Sequence, residues 1–271
     1  MRFKADLHLH TDYDEERGRR HGDKPENIAG GIVESGLDVF AITEHNAVSE
    51  RFFDVCDEVE RLTEGTGREV LGLLGTEMTV VFEGHRYHIG YVYEGTYGKH
   101  NLPEVPDPRV NLRDMIEQYQ VDYPGIVILN HPTWKDGHGI RGKNNPEVTM
   151  ALVESGLVDG VEILNGSILF NGADLQISRS AVEMFLAARA KGHRLAAIGC
   201  SDAHRGINHE NKSLVGSCAT EFTSATRQGL FHEIKGGNSK AVALEPTTVR
   251  KRVQTLIREV RGAGRYLSVF R

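Results

Sequence analysis

The sequence contains only three cysteines, Cys56, Cys200 and Cys218, and none of them falls into a C-x-x-C pair or a zinc-finger spacing. This argues against a disulfide scaffold and a thiolate metal site, and it predicts buried thiols in a reducing compartment. No apolar run approaches the ~20 residues that a membrane-spanning helix needs. The first strand is expected to begin at Phe3, which leaves no room for a signal peptide. We therefore expect a cytoplasmic protein without membrane contact.

An excess of positive charge is also missing. The formal net charge is −6 and the pI is about 6.1, which argues against nucleic-acid binding over the whole surface but leaves a short oligonucleotide substrate open. Histidine, by contrast, is abundant, with 13 in 271 residues. This length is ordinary for one α/β barrel. No repeat or linker divides the chain, so we expect residues 1–271 to form one domain, with a basic C-terminal helix at about 247–261.

The histidines begin in a short predicted strand, residues 3–9. Residues two apart in a strand share a face, so His8 and His10 project together, with Asp6 on the same side. Two imidazoles side by side at the end of a strand can bind a metal ion. An H-x-H pair alone is weak evidence, and its weight depends on the rest of the chain.

Candidate ligands recur at the ends of later strands. Short apolar runs at 37–43, 126–129 and 160–164 indicate buried strands, and the helical patterns between them predict βαβ units. We expect a barrel, because side chains from many strand ends meet at one face of that fold. A doubly wound sheet is the alternative, but it would concentrate the chemistry at one switch point. The recurring candidates are His8, His10, Glu44, His45, Glu77, His88, His131, Glu162, Asp202 and His204.

Histidine and carboxylate groups without thiolates suit Zn²⁺, Mn²⁺ or Fe²⁺ in a hydrolytic site. Two or three such ions, ~3.5–4 Å apart, would activate water as a nucleophile and neutralise charge on a phosphoryl or acyl oxygen. Alone, His45 or His88 would more often be a structural histidine, so the prediction depends on the whole set. Glu162 is interpreted as a group that holds the second nitrogen of a ligand histidine.

Taken in order, these motifs resemble the polymerase and histidinol phosphatase (PHP) family. The resemblance covers roughly residues 3–222. It rests on D-L-H-L-H-T at 6–11, A-I-T-E-H-N at 41–46, G-T-E at 75–77, His88, N-H-P at 130–132 and G-C-S-D-A-H at 199–204. It implies a distorted (β/α)7 barrel that holds two or three divalent metal ions and usually hydrolyses phosphoesters.

The resemblance also implies which side chains bind the metals. The residues implied for the first ion are His8, His10, Glu77 and Asp202. Glu77 would bridge to a second ion that His88 and His131 also bind. A third ion would be bound by His45, His204 and an acidic residue from the loop after the first strand.

This last acidic ligand is where the sequence departs from the family. The family commonly has T-x-x-S-D-G after the two histidines, whereas Thr11 is followed here by D-Y-D-E-E. Counting residues places Glu15 at the position of the family aspartate, with Asp14 and Glu16 as alternatives. Glu44 also stands where the family usually has an aspartate before His45.

The leading hypothesis is a metal-dependent phosphoesterase that releases phosphate from a small phosphorylated metabolite or nucleotide. His204 and Asp202 would be catalytic, and Arg205 would contact the phosphate, because a guanidinium matches phosphate geometry. Two alternatives stay open. N-H-P-T-W at 130–134 and V-E-I-L-N-G at 161–166 resemble the PHP branch with carbamate and aryl-ester hydrolases. A metal-binding module without catalysis is the other; the missing polymerase sequence and the nearly complete ligand set count against it.

Overall fold

The structure is a computed structural model of the 271-residue chain. It describes residues 2–11, 13–14, 19–20, 24–107, 110–133, 145–170, 175–204, 214–224, 226–244 and 251–257, with the backbone alone for 13–14 and 19–20. The strands are β1 (Phe3–Leu9), β2 (Tyr13–Asp14), β3 (Arg19–Arg20), β4 (Val39–His45), β5 (Leu71–Phe82), β6 (His85–Tyr93), β7 (Gly125–Leu129), β8 (Gly160–Asn165), β9 (Ala196–Cys200), β10 (Cys218–Phe222) and β11 (Lys240–Ala243). The helices are α1 (Pro25–Glu34), α2 (Arg51–Thr63), α3 (Leu112–Asp122), α4 (Pro146–Glu154), α5 (Gly166–Phe170), α6 (Leu175–Ala190) and α7 (Arg227–Lys235).

Nine of these strands form one sheet in the order β11-β10-β1-β4-β5-β6-β7-β8-β9. β1, β4 and β5 are parallel neighbours, and so are β7, β8 and β9. β6 is antiparallel to both β5 and β7, and β10 is antiparallel to β1 and β11. The carboxyl ends of β1, β4, β7, β8 and β9 therefore lie at one rim, which we call the upper rim.

β9, at one end of the sheet, contacts β1 and β10 near the other end, so the sheet forms a nearly closed barrel. The segment after β9 pairs with the end of β1: the amide of Asp202 donates to the carbonyl of His8 (2.9 Å), and the amide of His10 donates to the carbonyl of Ala203 (3.0 Å). Lower in the barrel, the amide of Gly199 in β9 donates to Thr220 Oγ1 in β10 (3.1 Å). The α/β barrel predicted from the sequence is confirmed, and the opposed strands β6 and β10 are its distortion.

Local sequence explains where the helices and turns begin. Asn111, Asn145 and Thr226 each accept a backbone amide in the first turn of the helix that follows, as N-cap residues do. The β5–β6 turn uses Glu83 and Gly84, both with positive φ, which matches the twist of a two-residue hairpin. Helix α5 and the short pair β2–β3 were not predicted.

The core consists of the buried faces of the strands and the helices packed against them. Of the predicted C-terminal helix at about 247–261, residues 251–257 are described and are helical, and they bury Val253 and Leu256 in the largest core cluster. Among the helices that the structure describes, none has the length and apolar character needed to cross a bilayer.

Candidate metal centre

Six side chains of ligand type converge at the upper rim, and all of them are largely buried. β1 and the residue after it supply two histidines, β5 and β6 supply one residue each, and the turns after β7 and β9 supply the others. We call these residues the inner group: His8, His10, Glu77, His88, His131 and Asp202. Their side chains are at most 18% exposed.

Two further histidines lie beside the inner group at the open side of the cluster. We call His45, at the end of β4, and His204, after β9, the outer pair. Their side chains are 44% and 37% exposed. Their rings stack on each other with centroids 5.7 Å apart, and each stacks on the ring of His10, at 4.5 and 4.3 Å. The outer pair thus continues the cluster towards solvent.

Glu77 is the centre of the cluster. It lies inside β5, which continues past the rim into the β6 hairpin, and its side chain is 1% exposed. Five histidine nitrogens surround its two oxygens. Oε1 lies 3.2 Å from His8 Nε2, 3.3 Å from His88 Nδ1 and 3.0 Å from His131 Nε2, and Oε2 lies 2.9 Å from His45 Nδ1 and 3.6 Å from His10 Nε2.

Asp202 closes the cluster on the β9 side. Its Oδ1 lies 3.5 Å from His8 Nε2, 3.4 Å from His10 Nε2 and 3.4 Å from His204 Nε2. Both Asp202 (φ 51°) and His131 (φ 25°) have positive φ although neither is glycine. Such backbone strain occurs preferentially at functional sites, where surrounding contacts hold it in place.

The chemistry of these donors fits divalent cations. Within the described residues, His10 Nδ1 and Nε2 and His88 Nδ1 are buried without a hydrogen-bond partner. Leaving a buried polar atom without a partner costs about 1–3 kcal/mol, and a metal–ligand bond would replace the missing partner. The candidate triads, each with its donor atoms within 4.8 Å of one another, are His10–His45–His204, His8–His10–Glu77, His8–His131–Asp202 and His45–Glu77–His88.

The charges of the cluster are strongly coupled. Burial alone would lower the pKa of His8, but the Glu77 and Asp202 carboxylates outweigh it and raise that pKa well above the usual range. Burial, together with the neighbouring His204, lowers the pKa of His10 to about 3. Burial would raise the pKa of Glu77, yet His8 and the hydrogen bond from His131 hold it well below the usual range. A cation bound between these groups would therefore displace a proton from His8.

Buried polar groups that sequence reasoning did not assign support the ligands. Asn130 Nδ2 donates to Glu77 Oε1 (3.0 Å) and lies 3.3 Å from His8 Nε2. Asn165 Nδ2 donates to Asp202 Oδ2 (3.0 Å). Both asparagines lie at strand ends inside the motifs 130–132 and 161–166, and this position was the available signal.

The sequence predicts Asp6 on the same side as His8 and His10, but in the structure its carboxylate holds backbone amides instead of joining the cluster. Its carboxylate accepts hydrogen bonds from the amides of Ser201 (3.0 Å) and Gly216 (2.9 Å). Burial raises the pKa of Asp6 to about 6, although these amides act in the opposite direction. Asp6 thereby ties β1 to the segment that carries Asp202.

The structure thus brings together His8, His10, His45, Glu77, His88, His131, Asp202 and His204. The other predicted site residues, Glu15 with its alternatives Asp14 and Glu16, and the phosphate-contacting Arg205, lie outside the described side chains. Their assignments stay predictions.

No protein-family model matches the chain, and no curated protein matches it. Solved structures that share its fold include the following two. One is a protein from Bifidobacterium adolescentis provisionally named a metal-dependent phosphoesterase, with TM-score 0.50, 16% identity, and coverage of 77% of this chain and 90% of that one. The other is an amidohydrolase from Chromobacterium violaceum, solved with sulfate and without metal, with TM-score 0.51, 13% identity, and coverage of 90% and 99%. At these identities the likeness shows the fold alone.

Proposed function

We propose that this chain is a metal-dependent hydrolase, and specifically a phosphoesterase that acts on a small phosphorylated substrate. The observation that carries the proposal is the arrangement around Glu77, where five histidine nitrogens lie within 3.6 Å of one buried carboxylate. Buried histidine nitrogens of the same cluster that lack a hydrogen-bond partner support the proposal. The name of the Bifidobacterium relative in fold, and the resemblance of the motifs to the PHP family, favour phosphoester substrates.

The ligand set follows the order of the motifs. One divalent ion, Mn²⁺, Zn²⁺ or Fe²⁺, would be held by His8, His10, Glu77 and Asp202. A second would share Glu77 and be held by His88 and His131. A third would be held by the outer pair, with Glu15 as the proposed carboxylate. The two oxygens of Glu77 face different histidines: His8, His88 and His131 lie around Oε1, and His10 and His45 lie around Oε2.

The chemistry that divalent ions supply is activation of water near neutral pH and neutralisation of charge on the phosphoryl oxygens. The chain's own residues orient the ligands and exclude water from the inner side. The outer pair faces solvent, so a substrate would approach from that side and meet His204 and His45 first. Arg205 follows His204 directly, and we assign it to the substrate phosphate.

Hydrolysis of p-nitrophenyl phosphate tests the proposal. The metal-free protein is reconstituted with Mn²⁺ and assayed beside the untreated and chelated forms. We expect phosphate release that depends on Mn²⁺ and is lost on chelation, and Arg205→Ala should raise KM for phosphorylated substrates. Inertness towards a broad panel of phosphoesters, in protein that binds metal, would contradict the phosphoesterase.

The same panel separates the alternatives. If metal-loaded protein hydrolyses an aryl carbamate or aryl ester but no phosphoester, the chain is a hydrolase in which water attacks a carbonyl carbon. If it binds metal and hydrolyses nothing in either panel, the chain is a non-catalytic metal-binding module.

A further inference from the structure

The buried carboxylate of Glu162 contacts two residues that are proposed to bind two different metal ions. Glu162 lies in β8, and the residue is 2% exposed. It is not part of the candidate ligand triads found among the described residues. Its two oxygens face two different inner-group residues.

The first oxygen holds the ring of His8. Glu162 Oε1 lies 3.1 Å from His8 Nδ1, while His8 Nε2 points towards Glu77 Oε1 (3.2 Å) and Asp202 Oδ1 (3.5 Å). An ionised carboxylate can only accept, so His8 Nδ1 must carry a hydrogen and donate it. The other nitrogen, Nε2, is then left for the metal. A ligand histidine that donates its second N–H to a carboxylate is fixed in tautomer and orientation.

The second oxygen holds the backbone of His131. The amide of His131 donates to Glu162 Oε2 over 2.6 Å. The φ of His131 is 25°, a value that a non-glycine residue keeps only when its surroundings impose it. This hydrogen bond is such a restraint, and it fixes the direction in which the His131 ring leaves the backbone, with Nε2 3.0 Å from Glu77 Oε1.

Asn165 connects the Glu162 carboxylate to Asp202. Its Nδ2 donates to Glu162 Oε2 (3.1 Å) and to Asp202 Oδ2 (3.0 Å), and its Oδ1 accepts from the amide of Ile168 (2.9 Å). The amide of Ile168, in α5, thereby fixes the Asn165 side chain, and Asn165 in turn fixes the Glu162 carboxylate.

We propose that Glu162 is a positioning residue that serves two metal positions at once, through the ring of His8 and the backbone of His131. The inference rests on the proposed metal centre. It differs from the role expected from the sequence, which was to hold one ligand nitrogen. Removal of the Glu162 carboxylate should therefore weaken the binding of two metal equivalents, not one.

Metal titration of the full-length chain tests this inference. Metal-free wild type and Glu162→Gln are titrated with Mn²⁺ by calorimetry, and elemental analysis gives the metal content per chain. Glutamine offers one acceptor oxygen, so either His8 or the His131 amide loses its partner, and the negative charge is lost for both. We expect the dissociation constants of two equivalents to rise about 10–100-fold.

Two further variants keep the test decisive. Glu162→Asp retains the charge but is ~1.5 Å shorter, and it should bind metal better than Glu162→Gln. Glu233→Gln is the matched control, because Glu233 is a buried carboxylate that accepts the amides of Thr223 and Ser224 after β10, at the opposite rim. It should lower thermal stability without changing metal affinity.

The His8 tautomer gives a readout that a purely structural role would not move. In the Zn²⁺-loaded wild type, ¹⁵N NMR should show His8 bound through Nε2 with a hydrogen-bonded proton on Nδ1, and in Glu162→Gln the Nδ1 resonance should shift because the hydrogen bond to the charged carboxylate is lost. Folded Glu162→Gln with wild-type affinity for every equivalent would overturn the inference, and so would a change confined to one equivalent. Wild type that binds metal but hydrolyses no phosphoester would count against the proposed function alone, because this test reads affinity.

Discussion

The inner group and the outer pair belong to one cluster but are held differently. The inner group is buried, and hydrogen bonds from other buried residues, such as Asn130 and Asn165, fix its carboxylates. The outer pair is about two-fifths exposed and stacks on the ring of His10. Buried side chains that hydrogen bonds from their neighbours hold in place are pre-organised for a metal ion, whereas exposed ones can adapt to a substrate. We therefore expect the inner side to bind metal tightly and the outer side to exchange metal and meet substrate.

The largest effect is expected from Glu77→Gln. The substitution removes the one charge that faces five histidine nitrogens, so the inner positions should lose their metal. Because metal ions contribute several kcal/mol to such reactions, we expect kcat/KM for p-nitrophenyl phosphate to fall by at least about 10³-fold. Glu233→Gln should keep wild-type turnover. Undiminished metal content in Glu77→Gln would show that Glu77 is not the shared ligand.

Stepwise chelation should separate the two sides. Mild chelator should remove the outer ion first, so phosphate release should fall before thermal stability does. Complete removal should then lower Tm by about 5–10 °C, since binding at 100-fold excess over Kd stabilises a protein by about 2.7 kcal/mol. Parallel assays of activity, Tm and metal content provide the measurement. Simultaneous loss of both signals would contradict different affinities for the two sides.

A smaller effect is expected when the outer pair is removed. The double substitution of His45 and His204 by asparagine should lower the metal content by one equivalent and turnover by about 10–100-fold. The Tm of the metal-free form should change little, because exposed substitutions usually alter stability by less than about 0.5 kcal/mol. His193→Asn, a histidine that precedes β9 at the opposite rim, is the control. A double variant that keeps its full metal content would place the third position elsewhere.

The smallest effect is expected from Glu44→Gln. Glu44 Oε1 accepts the amide of Thr11 (2.7 Å) and the Thr11 hydroxyl, and Oε2 lies 3.8 Å from His10 Nδ1. This distance exceeds the 3.1 Å between Glu162 and His8, so Glu44 should support its histidine more weakly. We expect less than about a tenfold rise in the metal dissociation constant, for one equivalent. If Glu44→Gln and Glu162→Gln lost metal affinity equally, the two carboxylates would not differ in how strongly they support their histidines.

The fold and the residues of the inner group were accessible from sequence because their signals are local. Alternation along the first strand and into the residue after it predicts His8 and His10 on one face, and apolar runs such as 126–129 identify buried strands. The PHP resemblance gave the order of the motifs. Helix α5 was missed because its 5 residues are too few for a helical period to be recognised.

The residues that hold the inner group in place were less accessible from sequence, because they pair with residues that are far away along the chain. Glu162 meets His8 across 154 positions, and Asn165 meets Asp202 across 37. Nothing in the local pattern distinguishes Asp6, which holds backbone amides, from Asp202, which faces three histidine nitrogens. Side chains acquire such roles when the barrel closes and β9 meets β1.

The metal content of the reconstituted wild-type chain tests the central claim most directly. The chain is stripped, loaded separately with Mn²⁺, Zn²⁺ and Fe²⁺, freed of excess ion and measured by elemental analysis. We predict two or three ions per chain, with the last one the most easily lost. A chain that retains no ion after loading would contradict the metal centre.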